Sequence, residues 1–264
     1  MQTLITSKDN PTVRHAHALL TQHRIRKKSG QTVIEGVHLL DAYLKQGFKV
    51  NKLLISESAL AHAEIIALQH AGLLDSLAKK DILIIDDNLY KSIRTLGDGL
   101  DVMAMIDIPN APLGDISTDC LILNGIQDTG NAGTLLRTAS AVGIHTIITT
   151  PNTAHLYSPK CLRAGMGAHF SLNIFEQIAT HEILSKVKTP LFATSSHTDK
   201  VIYHHDLTTP IAWVLGHEGQ GVSDEFLQIA TPIALPQPNG QESLNVGVAG
   251  SVCFYEMLRQ RSFV

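Results

Sequence analysis

Three short stretches hold most of the residues able to do chemistry. The first, Gln127-Asp-Thr-Gly-Asn-Ala-Gly133, runs into a helical pattern carrying Arg137. Gly130 and Gly133 permit tight turns, and a helix start offers free N–H groups to an anion. Asn131 is a candidate cap for that helix, while Arg137 reads either as a structural ion-pair partner or as a group that meets an anionic ligand. The second, Leu215-Gly-His-Glu-Gly-Gln-Gly221, sets three glycines in six positions, where a ligand could approach the backbone closely. Glu218 there is either a ligand contact or a helix cap. The third, Leu235-Pro-Gln-Pro-Asn-Gly-Gln-Glu-Ser-Leu-Asn245, is a Pro-rich turn opening the last helix, with Ser243 as a natural N-cap.

Several other chemistries lack their motifs. The glycines of 216–221 do not fit GxGxxG, and no GxxxxGK[ST] occurs, so the dinucleotide and P-loop readings fail. Fourteen histidines include His15/His17 and His204/His205, yet none forms HExxH, so no metal is expected. Ser195-Ser-His197 has no nucleophile-elbow context. Cys120, Cys161 and Cys253 are far apart and never CxxC, which predicts neither a disulfide framework nor a zinc site.

The elements that must position these loops alternate between strand and helix. Residues 11–28 read as one helix stopped by Ser29-Gly30. Strands at 32–34, 52–56, 82–85 and 102–106 alternate with helices at 37–44, 59–70 and 88–96, predicting a layered α/β unit. Pro109-Asn-Ala-Pro-Leu-Gly114 reads as a linker, which sets domains at 1–107 and 118–264 joined by 108–117. In the second domain, strands are predicted at 121–126, 146–148, 191–193, 211–215 and 233–235. A helix spans 131–142, the stretch 151–167 reads as irregular, and 244–260 reads as a closing helix with Val248, Val252, Tyr255 and Leu258 on one side. Each of the three chemical loops follows a predicted strand, where open α/β sheets place their ligand crevice.

The chain has 264 residues, 44% hydrophobic and 17% charged, as expected of a globular protein and unlike a disordered one. No apolar run approaches the roughly 18 residues of a membrane span, and the start lacks the pattern of a secretory signal, so a cytoplasmic protein is expected. The net charge of −3 conceals an asymmetry: residues 1–52 carry nine Lys/Arg against three acids, leaving −9 on the remainder. A basic portion on an acidic remainder can hold a polyanion, and Arg24, Arg26, Lys27 and Lys28 are its candidate contacts. The competing reading of that cluster is a solvated helix end.

Together, the motifs at Gln127–Arg137, Leu215–Gly221 and Leu235–Arg261 resemble the SpoU/TrmH family of RNA ribose 2′-O-methyltransferases, within the SPOUT class. Ser158-Pro-Lys and Arg163 to Ala168 resemble that family's middle segment, and residues 1–106 are similar to the α/β substrate-binding domain often fused to it, related to ribosomal proteins that bind kinked RNA. The resemblance implies a C-terminal α/β-knot, a trefoil that general topology rules would not suggest. It implies S-adenosylmethionine as cofactor, cradled by Gly216, Leu235 and Leu244, and a homodimer formed through the C-terminal domain. It makes Arg137 the central residue, held by Asn131 and joined by Glu218, Ser243 and Asn245.

A guanidinium does not serve readily as a base, so the expected role of Arg137 is to grip the 3′-phosphate and position the hydroxyl. The sequence departs from the family pattern at His217, where Asn is usual, at Thr129, a frequent Pro, and at Gly247, often Ser. Ribosomal RNA is expected ahead of tRNA, because minimal tRNA enzymes of the family often lack the N-terminal domain. The competing reading, a non-catalytic RNA-binding or assembly factor on the same fold, would need Arg137 or the cofactor loops to be damaged.

Overall fold

The computed structural model describes residues 3–75, 77–238 and 244–262. Two compact units divide the chain: residues 1–110 with 157–170, and residues 111–156 with 171–264.

The first unit opens with α1 (Pro11–Thr21), whose N-cap Asn10 accepts from the N–H groups of Thr12 and Val13. The single helix expected over 11–28 is broken at Gln22, which is extended, and α2 (His23–Ser29) restarts the chain. A side chain spans the break. Arg26 folds back into the unit and donates from Nη1 to Leu19 O at 2.6 Å, satisfying a carbonyl at the end of α1.

Next come β1 (Gln31–Glu35), α3 (Val37–Lys45), β2 (Lys52–Ser56), α4 (Ala63–His70), β3 (Ile82–Ile85), α5 (Asp87–Ile93) and β4 (Val102–Asp107). The helix expected over 59–70 starts instead as a 3-10 turn, Ser58–Ala61, and is interrupted at His62, which caps α4. The sheet order is β1-β4-β2-β3, with β4 antiparallel to both neighbours and β2 parallel to β3. Val13, Ala16, Leu19 and Leu20 of α1 pack with Leu89, Tyr90 and Ile93 of α5 on Val33, Leu54 and Met103. The apolar positions recur at helical spacing in the helices, while β1, β2 and β4 are buried at consecutive positions and so on both faces.

The second unit carries β5 (Cys120–Asn124), α6 (Thr129–Ala141) and β6 (Thr146–Thr149). The chain then contributes α7 (Pro159–Ala164) to the first unit, within the stretch that reads as irregular from sequence. There Arg163 donates to Glu35 Oε2 at 2.7 Å, and Thr32 Oγ1 donates to Tyr157 O at 2.7 Å. Glu35 is buried and also accepts from the N–H of Thr95 at 2.8 Å, so its charge is paired and hydrogen-bonded as burial requires.

Back in the second unit follow β7 (Asn173–Phe175), α8 (Thr180–Lys186), β8 (Leu191–Thr194), β9 (Ala212–Gly216), α9 (Asp224–Leu227), β10 (Thr231–Ile233) and α10 (Val246–Ser262). Its sheet runs β10-β8-β9-β5-β6-β7 and every pairing is parallel. All of its loops that leave strand C-termini therefore gather along one edge. β10 lies at the rim, yet α10 returns to pack on α6 and β9. Gly250 makes that return possible, because a Cβ there would lie 2.4 Å from Leu135 and 2.6 Å from Leu215.

The apolar stripe expected on α10 exists, but it faces outward. Val248, Val252 and Tyr255 are exposed, and the helix instead buries Gly247, Gly250, Cys253, Phe254 and Met257. Burial raises the thiols of Cys120 and Cys253 to about 12, which keeps them inert. Among the described residues no helix is long and apolar enough to cross a membrane.

Candidate cofactor and active site

β9 ends at Gly216, and the next residues form a tight bend. His217 N donates to Gly221 O at 2.9 Å and Gly221 N returns to His217 O at 2.8 Å. A Cβ at Gly216 would lie 2.1 Å from the carbonyl carbon of Gly221 and 2.2 Å from Val222 N, so only glycine fits. Gly221 supplies the positive φ of 72° that closes the turn.

Glu218, at the tip, reaches to the loop after β5. Its Oε1 accepts from Asp128 N at 3.2 Å and Asn131 Nδ2 at 3.1 Å, and its Oε2 accepts from Gln127 N at 3.2 Å. Burial would raise this carboxyl, but the bonds from the Asn131 amide and from the backbone of Glu218, Gln127 and Asp128 outweigh it, holding it below the usual carboxylate range.

The network continues into α10. Asn245 Nδ2 donates to Asn131 Oδ1 at 2.9 Å, while Asn245 Oδ1 accepts from Gly247 N at 2.9 Å and Val248 N at 3.2 Å. Asn245 is therefore the cap of α10. Asn131 is not the cap of α6, because Asp128 Oδ1 takes that role on Asn131 N at 2.7 Å. Nor does Asn131 hold Arg137. Both ends of its amide are engaged by Glu218 and Asn245, and Arg137 lies six residues on, roughly 9 Å along the axis. The Arg137 side chain is exposed and, among the described residues, makes no hydrogen bond or ion pair, which removes the structural ion-pair reading.

A cavity of about 420 Å³ lies against the bend. Gly216, Leu235 and Leu244, the three residues expected to hold a cofactor, all line it, together with Glu218 and Asn245. Ile233, Val246 and Ala249 add apolar wall, and the bend presents backbone. That combination suits an adenosine: a flat apolar ring edged by donors and acceptors that main chain can meet. Sequence reasoning missed Thr194 to His197 and Gln237, which also line the cavity. The signal for the former was their position just after β8, on the same strand-end edge.

The profile of the SpoU rRNA Methylase family matches residues 120–255. The chain belongs to the SpoU rRNA methylase family. The profile of an MRM3-like substrate binding domain matches residues 10–96 of this SpoU-family chain. A protein of Synechocystis sp. named as an uncharacterized tRNA/rRNA methyltransferase is 33% identical over 97% of the SpoU-family chain and 94% of its own length. A 23S rRNA (uridine(2479)-2′-O)-methyltransferase of Streptomyces viridochromogenes is 26% identical over 97% of this chain and 92% of its own. The fold matches the solved SpoU methyltransferase AviRb of Streptomyces viridochromogenes in complex with AdoMet, with a TM-score of 0.83, 22% identity and coverage of 95% of this chain and 98% of that one.

Ser243 lies outside the described residues. Arg26, expected to meet RNA with its neighbours, is buried and spends its guanidinium on Leu19 O and Leu20 O, so it is a structural cap and not a surface contact. Arg24, Lys27 and Lys28 are exposed on α2. Among the described residues no three His, Cys, Asp or Glu side chains gather closely enough to hold a metal.

Proposed function

We propose that the chain methylates a ribose 2′-hydroxyl in structured RNA, ribosomal RNA ahead of tRNA, using S-adenosylmethionine. The observation that carries this reading is the pairing of an unspent, exposed Arg137 with an intact Glu218–Asn131–Asn245 network beside a cavity lined by Gly216, Leu235 and Leu244. Intact loops and an available guanidinium also disfavour a non-catalytic assembly factor. The Streptomyces relative's name supports ribosomal RNA, and that of the Synechocystis relative names both RNAs.

S-adenosylmethionine, when bound, supplies an electrophilic methyl group. Leu235 and Leu244 would hold its apolar parts, and the backbone at Gly216 its polar edge. The chain's remaining task is alignment and proton removal. Arg137 would grip the phosphate 3′ to the target ribose with its two-pronged fork, fixing the 2′-oxygen. The hydroxyl proton passes to a phosphate oxygen or to water, since a guanidinium already carries all its protons. Glu218, Asn131 and Asn245 hold the bend, the loop after β5 and the start of α10 in register, and family resemblance assigns Ser243 a part in the same chemistry.

Residues 118–156 with 171–264 serve as the methyltransferase domain, a split that the continuous 118–264 expected from sequence lacks because 157–170 belong to the first unit. Residues 1–107 serve as the RNA-binding domain, where Arg24, Lys27 and Lys28 offer phosphate contacts. A homodimer forms through α10. Val248, Val252 and Tyr255 are exposed by 51%, 38% and 55% and follow one another along one face of that helix, as a buried self-complementary interface requires. The cytoplasm, where ribosomal RNA is made and modified in bacteria, is the expected compartment.

The test is methyl transfer to purified ribosomal RNA and, separately, tRNA, mapped by reverse-transcription stops at low nucleotide concentration. One stop in ribosomal RNA is expected. A stop only in tRNA overturns the substrate preference, and none in either overturns the enzyme reading.

A further inference from the structure

His217 stands where the family usually has Asn, and the structure shows what it does there. Its Nδ1 accepts from Gly219 N at 2.9 Å and Gln220 N at 3.2 Å. These are the N–H groups inside the bend, and both turn to this one ring nitrogen. An Asn side-chain oxygen meets the same need by an Asx turn. The two residues differ in one respect: an amide oxygen stays an acceptor at every ordinary pH, whereas an imidazole nitrogen stops accepting once protonated.

Besides the paired backbone bonds between His217 and Gly221 at its base, the bend is held at two further points. Glu218 anchors its outer side to the loop after β5, and Gly216 packs against Gly221 and Val222 with no room to spare. Turning Nδ1 from acceptor to donor would set three N–H groups against one another, and the interior of the bend would have to open. His217 and the bend line the cavity, so the change reaches the cofactor surface directly.

We infer that His217 is a positioning residue that shapes the cofactor bend through Nδ1, and that this histidine makes cofactor uptake by this chain proton-dependent. The inference rests on reading the cavity as the S-adenosylmethionine cradle.

Several titratable groups lie on the surrounding elements. Glu218 belongs to the bend itself, Asp128 to the loop after β5, and His197, Asp199 and Lys200 to the loop after β8. Glu218 is held below the usual carboxylate range and stays charged between pH 5 and 8. Asp128 is occupied as the cap of α6. His197 also lines the cavity, so it needs its own control.

The test is calorimetric titration of S-adenosylhomocysteine into the full-length protein at pH 5, 6, 7 and 8, for the wild type and for His217→Asn, His217→Ala and His197→Asn. The wild type is expected to lose affinity on acidification, by about tenfold per pH unit below the titration of the histidine. His217→Asn should restore binding at low pH and flatten the profile. His217→Ala should bind about tenfold more weakly than the wild type at pH 8, having lost the acceptor outright, and should keep that affinity as the pH falls. His197→Asn should keep the wild-type slope. Far-UV circular dichroism of each protein at each pH separates loss of the bend from loss of the fold.

The inference is overturned if His217→Asn shows the same acid loss as the wild type, if His217→Ala binds normally at pH 8, or if His197→Asn alone removes the slope. Failure of the folded wild type to bind at any pH would instead sink the cofactor reading on which it rests.

Discussion

Asn131 Nδ2 donates to Glu218 Oε1 across 3.1 Å, and through this bond the start of α6 and the bend after β9 share one anchor. Asn131→Asp replaces the donor with a second carboxylate at that distance. Like charges so placed repel, and partial exposure limits the cost to about 1 kcal/mol, or about 2–4 °C in Tm for a chain of this size. The loss should shrink as the pH is lowered toward 4 and one of the two carboxyls takes a proton. Wild-type Glu218 shows the opposite sense. Its value is lowered by folding, so its stabilising contribution is complete above the ordinary carboxylate range and is lost only as the pH falls through the lowered value. Thermal melts of both proteins from pH 4 to 8 check this.

The Arg137 side chain is exposed and makes no hydrogen bond or ion pair among the described residues, so removing it should leave stability nearly unchanged. Arg137→Ala is expected to keep Tm within 1–2 °C, about 0.5 kcal/mol, and to lose at least about a hundredfold in turnover. Arg137→Lys keeps the charge without the fork and should lose at least about tenfold. Near-full turnover by the lysine variant would remove the two-pronged grip from the mechanism.

Gly216→Ala tests the cradle. The added methyl would lie 2.1 Å from backbone, which cannot be relieved by turning a side chain, so the bend must move. S-adenosylhomocysteine binding is expected to weaken by about a hundredfold, and unfolding should come about 1–3 kcal/mol more easily. Calorimetry and chemical denaturation read the two effects separately.

Val252→Asp and Tyr255→Arg should each convert the protein to a monomer in light scattering, with the fold preserved, because both side chains face outward within one chain. A mass unchanged in both variants would place the interface elsewhere.

The α2 cluster divides by burial. Lys27→Ala with Lys28→Ala should leave Tm unchanged, weaken RNA binding and reduce the slope of log K against log salt by about 1.5–2. Arg26→Ala should do the reverse: about 1–3 kcal/mol is lost from unit 1, because carbonyls at the end of α1 lose their donor. Filter binding across a salt series, paired with thermal melts, distinguishes them.

Much of this was legible in the sequence, and the exceptions share a cause. The strand cores at 52–56, 102–106 and 212–216 announce themselves as apolar runs, and the three loops stand out because their glycines sit just past strands. Gly216, Leu235 and Leu244 could be assigned together only through family resemblance, and the fold brings them to one cavity. What stayed hidden depends on long-range partners. Charge alone could not show that Arg26 turns inward, nor periodicity that the Val248–Val252–Tyr255 face of α10 points away from its own core. The place of α7 in the first unit involves the Arg163–Glu35 ion pair, whose partners lie 128 positions apart.

The most direct test gives the wild type and Arg137→Ala the same S-adenosylmethionine carrying a labelled methyl group, together with protein-free ribosomal RNA. The labelled nucleoside is then identified after complete digestion. The expected result is a single 2′-O-methylated nucleoside from the wild type, made resistant to alkali at its 3′ side, and at least about a hundredfold less from a variant that binds S-adenosylhomocysteine normally. Label on a base, or equal label from both proteins, would contradict the account.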